Sequence, residues 1–341
     1  MSERRGVVSA GSWCVDFNKT IARWPEEDTT NEVLSVVRQG GGAGFNMAID
    51  LKRLDPGLPV RAMGVVGDDE SGRFLFDECD RYGVDRGGLH ARAGGGTISV
   101  DAFSVGSTGR RTHFFYAGVG AEMSPDDFDF ASTRAKFLHL GLPGAHRKMD
   151  SAWGGEANGW VAVLRKARAA GLIANLELMT IPAARLAELA RPCLPHLDYL
   201  IVNDYEIGVL AGVETRRADG ATDPAGVARA IDAALAQGSM RLAVVHFPGG
   251  AVAGGRDGSR HAQGSVAVPA SAIVGANGAG DAFAAGALYG LHERWPIEDC
   301  LRLGHACAAA ALREVSTTTG VGTVAECLAL AKRWGFRPLE L

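Results

Sequence analysis

The sequence predicts an α/β protein whose mostly parallel β-sheet has helices on both faces. Strand-like and helix-like segments alternate in its second half, with strands at 137–140, 172–176 and 199–202 and helices at 160–170 and 183–191. Parallel strands need a crossover connection, and a helix is the usual one, so the alternation indicates a parallel sheet. The chain has 341 residues, enough for a large core and for about two domains.

Composition and charge are those of an ordinary globular protein. Hydrophobic residues make up 47% of the chain and charged residues 22%, and the net charge is −4. Without a long basic run, the chain offers little to attract nucleic acid or an anionic membrane. No apolar run approaches the ~18 residues of a membrane span or resembles a signal peptide. We therefore expect a cytoplasmic protein with neither kind of partner.

The cysteines are scattered along the chain and form no C-x-x-C pair. This spacing is not that of a zinc site or a redox motif. We expect reduced and mostly buried thiols, as in a cytosolic protein. The six residues are Cys14, Cys79, Cys193, Cys300, Cys307 and Cys327.

The N-terminal part predicts strands that lead to polar residues and glycines. A strand at 6–10 precedes Asp16, whose carboxylate would lie near a strand end, where α/β sheets bind ligands. A turn aspartate is the alternative interpretation. A second strand at 33–38 runs into the glycine cluster 40–46, and a helical pattern follows as far as Leu54.

The next segments predict scaffold and a hairpin. A strand at 60–66 precedes an amphipathic helix at 69–82, and both are assigned to the scaffold. Strands at 98–105 and 111–116, joined by a turn at 106–109, predict a β-hairpin. The hairpin is either an edge of the main sheet or a lid that keeps water from a reacting group.

The glycine cluster has the character of a ligand loop. Gly41 and Gly42 lack side chains, so a polyol could approach the backbone, and Asn46 offers both a donor and an acceptor. A dinucleotide turn is disfavoured because Phe45 or Met47 occupies the place of the third glycine of G-x-G-x-x-G.

A second polar group follows the strand at 199–202. Asn203 and Glu206 have the spacing of a helix N-cap and its capping-box partner. They also stand at the carboxyl end of a strand, which favours a functional role. His246, in the strand at 242–246, is interpreted as a core or sheet histidine, and a helix at 297–315 carries His305, for which a structural role comes first.

The segment 274–286 is a loop of small residues that runs into a helix at 279–294. Backbone N–H groups at a helix start lack internal partners and carry partial positive charge, so the loop suits a phosphate. Asp281, in the first turn, is either a general base or an acid that complements the helix dipole. A P-loop is excluded, because G-x-x-x-x-G-K-[ST] is absent from the chain.

Three separated motifs together resemble the ribokinase-like (PfkB) family of carbohydrate and nucleoside kinases. The first motif, G-G-x-G-x-N, matches Gly41, Gly42, Gly44 and Asn46. The second, N-x-x-E, matches Asn203 and Glu206. The third, D-T-x-G-A-G-D followed by A-F-x-A-G, matches Asn277, Gly278, Ala279, Gly280, Asp281, Ala282, Phe283 and Gly286. They occur in the family's order over nearly the whole chain.

This resemblance implies a fold and an assembly. The expected fold is a ribokinase-like three-layer α/β/α sandwich with a mostly parallel central sheet. Residues 1–341 would form one kinase domain, with a small β lid contributed by about 12–40 and 96–118. Two such lids could clasp into a homodimer.

The resemblance also implies an activity, which is ATP-dependent phosphorylation of a hydroxyl group on a small sugar or sugar derivative. Asp281 would be the catalytic base. The anion hole would consist of Asn277, Gly278, Ala279 and Gly280. The substrate would be held by Asp16, Gly41, Gly42 and Asn46.

ATP and Mg²⁺ are the implied cofactors. Glu206 would act on Mg²⁺, through water. The residues implied in binding the nucleotide are Asn203, Glu206, Gly249, Gly250 and His305. Two alternatives stay open, a nucleoside kinase of the adenosine type and a catalytically weak binding protein on the same fold. Lid aromatics that could stack on a base, such as Phe114 and Tyr116, leave the first open, although packing is their commoner role.

One departure from the family motif leads to a prediction. Gly275 and Ala276 replace the leading Asp and Thr, and in relatives activated by K⁺ that Asp contributes to the monovalent-ion site. Because Gly275 has no carboxylate, we expect turnover to change less than about twofold between Na⁺ and K⁺ buffers of equal ionic strength. Initial rates across a K⁺ titration test this. Strong, saturable activation would contradict it.

Overall fold

The computed structural model describes residues 4–106 and 110–341, which contain two separate β-sheets. The strands are β1 (Val7–Gly11), β2 (Cys14–Ile21), β3 (Val33–Gly41), β4 (Val60–Gly67), β5 (Asp85–Arg92), β6 (Ile98–Val105), β7 (Arg111–Tyr116), β8 (Phe137–Gly141), β9 (Ile173–Leu176), β10 (Tyr199–Asn203), β11 (Leu242–Phe247), β12 (Gly250–Gly255) and β13 (Arg260–Gly264).

The main sheet has nine strands in the order β13-β12-β11-β10-β9-β8-β1-β4-β5. Its strands from β11 to β5 pair in parallel, whereas β12 and β13 are antiparallel additions at one edge. Parallel strands bring their carboxyl ends to one edge of the sheet, so the loops that follow them meet there.

Nine α-helices occur in the part of the chain that the structure describes. They are α1 (Ala43–Leu54), α2 (Glu70–Tyr82), α3 (Gly159–Ala169), α4 (Ala183–Ala190), α5 (Asp204–Ala211), α6 (Pro224–Gln237), α7 (Ala279–His292), α8 (Ile297–Ala311) and α9 (Val324–Trp334). Several begin at a polar N-cap: Asp69 accepts from the Gly72 N–H at the start of α2, and Thr323 and Glu326 form a capping box at α9.

Two hydrophobic cores lie on opposite faces of the main sheet. Adjacent residues of β1 point to opposite sides, so Val7 joins the core with α1, α7, α8 and α9, and Val8 joins the core with α3 to α6. This is the three-layer α/β/α arrangement that the sequence predicts, and the prediction of fold class is confirmed.

The second sheet has four strands in the order β3-β2-β6-β7. β2 and β3 lie between β1 and α1 in the chain, so the sheet is attached at the carboxyl edge of the main sheet. The hairpin of β6 and β7 therefore belongs to this separate sheet and is not an edge of the main one. Part of its predicted turn, residues 107–109, lies outside the described residues.

Some boundaries and elements differ from the predictions. Helix α8 ends at Ala311 and not at 315, because the N–H groups of Arg313 and Glu314 bond to carbonyls three residues back, so the α-helical pattern does not continue. Helix α7 ends at His292, two residues before Arg294, which has a positive φ of 62°. Three elements of the structure, β5, β13 and α6, are not among those that the sequence predicts. The first two are polar edge strands with little strand propensity.

Within the described part of the chain, no helix combines the length and the apolar character that crossing a bilayer requires.

A buried carboxyl group lies unpaired in α1. Asp50 is fully buried, and neither of its oxygen atoms has a hydrogen-bond partner. Burial, followed by the negative charge of Asp281, raises the pKa of Asp50 well above its usual value. Since its pKa in the folded state is raised, Asp50 opposes folding increasingly as the pH rises from the unfolded pKa through the folded one.

We therefore expect Asp50→Ala to increase the free energy of unfolding by about 1–3 kcal/mol at pH 8, because an enclosed polar group without a partner is removed. The gain should be smaller at pH 5, where the carboxyl is protonated in the fold. Urea unfolding at both pH values measures it, with Asp77→Ala on the exposed surface of α2 as the control. A stabilisation of equal size at the two pH values, or a lower free energy of unfolding at both, would contradict the expectation.

Candidate active site

The centre of the site is a contact between the first and the last predicted motif. Asn46, in the first turn of α1, donates from Nδ2 to Oδ2 of Asp281 over 2.7 Å. Thr317 Oγ1 donates to Asn46 Oδ1 over 3.1 Å, which fixes the orientation of the amide. The structure thus brings together Asn46 and Asp281, and it adds Thr317, a residue of the loop before α9.

Asp281 has the electrostatic surroundings of a base that operates near neutral pH. Burial, and then the negative charge of Glu177, raise the pKa of Asp281 to about 7. The Asn46 hydrogen bond and the nearby His139 oppose this rise. A carboxyl group whose pKa lies near the working pH can accept a proton and release it again.

Glu177 is a site residue that the motifs do not contain. It follows the last residue of β9, and burial raises its pKa to about 8. His139 Nε2 lies 2.7 Å from Glu177 Oε2. Its position directly after a parallel strand is the signal that could have found it, since polar residues there converge on the same edge.

A hydrogen-bonded chain fixes the protonation of His139. The Asn175 Oδ1 atom accepts from the Ile201 N–H over 3.0 Å, so its Nδ2 is the group that lies 3.1 Å from His139 Nδ1. Nδ1 is therefore an acceptor, and Nε2 carries the proton and donates it to Glu177. Burial lowers the pKa of His139 to about 4, which keeps the ring neutral.

Asp16 lies opposite Asp281, on the second sheet. It is the third residue of β2, not part of a turn after β1 as its position in the sequence first indicates. A Cβ atom at Gly41 would come within 2.5 Å of Asp16 Oδ2, and Gly42, at a φ of +85°, caps α1 close to the Ser12 carbonyl. Burial raises the pKa of Asp16 to about 6, and the charge of Asp281 contributes. The glycines keep this carboxyl close to the backbone.

The loop before α7 forms a backbone cradle. Gly278 is left-handed, at a φ of +72°, and a Cβ there would lie 2.4 Å from the Thr317 carbonyl oxygen, so only glycine fits. The Ala279 N–H makes a long contact of 3.4 Å with the Ala276 carbonyl. The predicted residues Asn277 to Gly280 thus line the N-terminus of α7, where the dipole favours an anion.

Asn203 and Glu206 form the predicted capping box at α5. Asn203 Oδ1 accepts from the Glu206 N–H over 2.9 Å, and Glu206 Oε2 accepts from the Asn203 N–H over 3.0 Å. Burial raises the pKa of Glu206 to about 7, and the negative charges of Glu177 and Asp281 add to the rise. Glu206 therefore caps α5 through Oε2, and its second carboxylate oxygen takes no part in the cap.

A cavity of about 590 Å³ adjoins the cradle. Among its lining residues are Asn203, His246, Gly280, Phe283 and His305, and the His246 ring packs against Phe283. His246 lies in β11, as its interpretation as a sheet histidine expects, and it also borders the cavity.

Both histidines of this cavity are neutral. Burial lowers the pKa of His305 to about 3 and that of His246 to about 4. The His305 Nε2–H donates to the Gln263 carbonyl over 3.2 Å, and the ring packs on Phe283. This wall is therefore largely apolar and uncharged, which suits a flat ring.

The two glycines of the predicted nucleotide turn have different positions. Gly249 lines a neighbouring cavity of about 560 Å³, together with Asp204 and Arg216. Gly250 belongs to β12, where a Cβ would come within 2.6 Å of both the Gln263 carbonyl oxygen and Leu339. Close packing between β12 and β13 therefore explains why position 250 is a glycine.

Comparison with known proteins identifies the family. The model of pfkB family carbohydrate kinases matches residues 4–323. The chain belongs to the pfkB family of carbohydrate kinases. The prediction of an ATP-dependent phosphotransferase with a carbohydrate hydroxyl as acceptor is thereby confirmed.

Individual relatives agree with this assignment. The chain is 29% identical over 307 residues to an ATP-dependent ribose-1-phosphate kinase of Halopiger xanaduensis, covering 89% of this chain and 90% of the relative. It is 25% identical over 333 residues to a 5-dehydro-2-deoxygluconokinase of Shouchella clausii, covering 96% and 95%. An Arabidopsis thaliana ribokinase complexed with ribose and ATP has the same fold, with a TM-score of 0.78 at 21% identity, over 96% of this chain and 99% of that one.

The surroundings of Asp281 lead to a prediction for this kinase. Glu177→Gln removes a negative charge that raises the pKa of Asp281, so that pKa should fall. The acidic limb of kcat/KM, expected near pH 7 in the wild type, should move to lower pH, because the base loses its proton more easily. The ratio of kcat/KM at pH 6 to that at pH 8 should rise. Asp77→Asn, on the exposed surface of α2, is the control, and an unmoved or alkaline-shifted limb would contradict the role of Glu177.

Proposed function

We propose that Asp281 of this kinase takes the proton of a sugar hydroxyl that attacks the γ-phosphate of ATP. The observation that carries the proposal is the 2.7 Å hydrogen bond between Asn46 and Asp281. It joins the glycine cluster to the phosphate cradle, so a polyol held by the first would have its hydroxyl beside the base of the second.

The substrate would lie between the two sheets. Asp16 would accept hydrogen bonds from sugar hydroxyls, and Gly41 and Gly42 would let the ring approach the backbone. The Asn46 amide would hold Asp281 in position until the hydroxyl replaces or shares that bond. Because the pKa of Asp281 is about 7, a substantial fraction of the free enzyme has the carboxylate ready to accept a proton at neutral pH.

The phosphate groups would sit at the N-terminus of α7. N–H groups of Asn277, Gly278 and Gly280 would surround the γ-phosphoryl oxygens, and the long Ala279 contact would open to admit a fourth donor. The helix dipole adds partial positive charge at the same point. These groups stabilise the charge that develops as the phosphoryl group leaves ADP.

The nucleotide base would occupy the 590 Å³ cavity beside the cradle. Phe283 and the neutral His305 give it an apolar wall, and Asn203 lies on the side toward the phosphates. Gly249 would border the nucleotide from the neighbouring turn, and Gly250 would support that turn from β12. An apolar wall with few polar groups is usual for such cavities.

Glu206 is the residue that would hold a Mg²⁺ ion, and it would do so through water, since no group of three or more His, Cys, Asp or Glu residues in the described chain could hold a metal directly. Buried carboxyls at Glu206, Glu177 and Asp281 all have a raised pKa, which means that their negative charges lack compensation. Oxygen ligands and retained waters are what Mg²⁺ prefers, so Glu206 would hold the ion through water with its free oxygen. When bound, the ion neutralises charge on the phosphate groups.

The substrate is proposed to be a small sugar derivative. Its support is the pair of relatives that match this chain along most of its length, a ribose-1-phosphate kinase and a 5-dehydro-2-deoxygluconokinase. The lid aromatics Phe103 and Phe114 pack against Trp24, so packing within the lid accounts for their ring contacts without a nucleoside.

We further propose one kinase domain that forms a homodimer in the cytoplasm. The second sheet is the lid, and its edge strand β3 exposes Leu34, Val36 and Val37, each more than half exposed. An apolar edge strand of this kind suits a second copy. Buried, reduced cysteines support a cytoplasmic location. Sedimentation equilibrium tests the dimer, which the mass of a single chain would contradict.

Replacing the base tests the mechanism. Asp281→Asn should keep the hydrogen-bonding shape of the side chain but lower kcat by roughly 10²–10⁴-fold, because the hydroxyl loses its proton acceptor. Calorimetry should still detect ATP and sugar binding. Asp77→Asn is the matched control on the exposed surface of α2. Near-normal turnover of the Asp281 variant would rule out this base.

A further inference from the structure

The α8–α9 loop, residues 312–323, lies against the candidate site at two points. Thr317 Oγ1 donates to Asn46 Oδ1 over 3.1 Å, and Asn46 in turn holds Asp281. The Thr317 carbonyl oxygen is so close to Gly278 that a Cβ there would come within 2.4 Å of it. The position of the loop therefore affects both Asp281 and the phosphate cradle.

The backbone of this loop makes few hydrogen bonds of its own. Among the described residues, no backbone–backbone hydrogen bond joins residues 316–321 to another part of the chain. The N–H groups of Thr318 and Thr319 reach only the Ser316 hydroxyl, over 3.4 Å. Side chains from elsewhere are therefore needed to bind the carbonyl groups of the loop.

The Arg53 side chain, in the last turn of α1, supplies such bonds. Its Nε–H donates to the Val321 carbonyl, and its Nη2 donates to the Thr319 carbonyl over 2.9 Å. Its Nη1 lies 3.4 Å from the Tyr82 hydroxyl, so all three guanidinium nitrogens have a partner. The planar fork of a guanidinium can bind two oxygen atoms in fixed directions at once.

Arg53 binds these neutral acceptors although carboxylates lie near it. Its positive charge acts on Asp50 and on Glu326. The Asp50 oxygens nevertheless have no partner, and Glu326 accepts from Thr323 in the capping box of α9. An arginine that only balanced charge would pair with one of these carboxylates. The direction of the guanidinium favours a role in holding the loop.

Helix α1 contacts the loop at two places. Asn46 and Arg53 are seven residues apart, which is about two helical turns, so their side chains lie on one face of α1. Asn46 accepts from Thr317, and Arg53 donates to the carbonyls of Thr319 and Val321. One rigid helix thus carries both the amide that the loop orients and the guanidinium that binds the loop.

We propose that Arg53 is a positioning residue of this kinase, which acts on Asp281 through the α8–α9 loop. It fixes the loop so that Thr317 keeps the Asn46 amide in the orientation that holds Asp281. The inference rests on the proposed function of Asp281 as the base. Without the guanidinium, the loop would take other positions, and Asp281 and the cradle would lose their alignment with the reacting groups. A displacement of about 1 Å can lower a rate by about 100-fold.

A cavity beside Arg53 allows a test by chemical rescue. The cavity has a volume of about 490 Å³, and Arg53, Arg313 and Val321 are among its lining residues. A guanidinium ion is small enough to enter it and to donate to the carbonyls that a truncated side chain would leave. Arg313 offers the matched control, because its exposed side chain lines the same cavity without a hydrogen bond or ion pair to the described residues.

The first experiment measures turnover and nucleotide binding. Ribose 1-phosphate, ribose and fructose are offered with ATP, and the compound that the wild type phosphorylates fastest is used throughout. Arg53→Ala should lower kcat by about 10–100-fold, because the base is misaligned. The Kd of ADP should change less than about threefold, because residues 316–322 do not line the nucleotide cavity. Arg313→Ala should leave both values as in the wild type.

The second experiment adds guanidinium chloride at about 5–50 mM, with sodium chloride of equal ionic strength as the comparison. The ion should raise kcat of Arg53→Ala at least about fivefold, because it can replace the missing fork of donors. It should not raise kcat of the wild type or of Arg313→Ala. A kcat of Arg53→Ala that guanidinium leaves unchanged would assign the loss to altered packing and overturn the inference.

A double-mutant cycle tests whether Arg53 acts through Thr317. Thr317→Val removes the hydroxyl that donates to Asn46 and keeps the size of the side chain. If both residues act through one connection, adding Thr317→Val to Arg53→Ala should lower kcat by no more than about threefold further. Losses that multiply would show independent roles and would overturn the inference.

The remaining outcomes are also decisive. Wild-type kcat in Arg53→Ala overturns the inference, although Asp281 would remain the proposed base. If Arg53→Ala does not fold, Arg53→Lys takes its place, since lysine keeps the charge but not the planar fork. Its kcat should fall at least about fivefold, and a wild-type value would overturn the inference.

Failure of the proposed function is distinguishable from failure of this inference. If the wild type phosphorylates none of the three compounds, the proposed function fails, and amide hydrogen exchange decides the inference separately. Faster exchange of residues 316–322 in Arg53→Ala than in Arg313→Ala supports it, because the loop then opens more often. Equal exchange in the two variants refutes it.

Discussion

The hydrogen bond between Asn46 and Asp281 is the constraint on which the site depends. It connects residues 235 positions apart, one at the start of α1 and one at the start of α7. Each helix begins at a glycine with positive φ, Gly42 or Gly278, which turns the chain sharply enough for both N-termini to face the same space. The parallel sheet brings the N-termini of α1 and α7 to the same edge, and the two glycines let Asn46 and Asp281 come within hydrogen-bonding distance.

A second feature of the site is its cluster of buried carboxyl groups. Asp281, Glu177, Glu206 and Asp16 lie near one another, and burial raises the pKa of each into the range from about 6 to about 8. Such a cluster is unfavourable for the protein alone, because like charges repel and lose their hydration. In the proposed function, the cations and hydroxyls of bound reactants would complete the arrangement.

Much of the fold and part of the site could be predicted from the sequence. Alternating segments predicted the layers, and local motifs placed Asn46, Asn203 and Asp281, because each motif carries its own turn chemistry. Glu177 belongs to no local motif, and only its position directly after β9 could have indicated it, because its contact with His139 depends on how the strands pair. The resemblance placed Asp16 in the lid segment 12–40, whereas its pairing with Gln39 depends on the lid sheet. The polar edge strand β5 could not be predicted, because it has little strand propensity of its own.

The lid and the base share a mechanical connection. Strands β2 and β3 leave the main sheet after β1 and return directly into α1, whose first turn carries Asn46. In the proposed function, a tilt of the lid would therefore move Asn46, which holds Asp281. A compound that leaves the lid in the wrong orientation should be turned over slowly even when it saturates the enzyme. Discrimination among sugars should therefore appear in kcat as well as in KM.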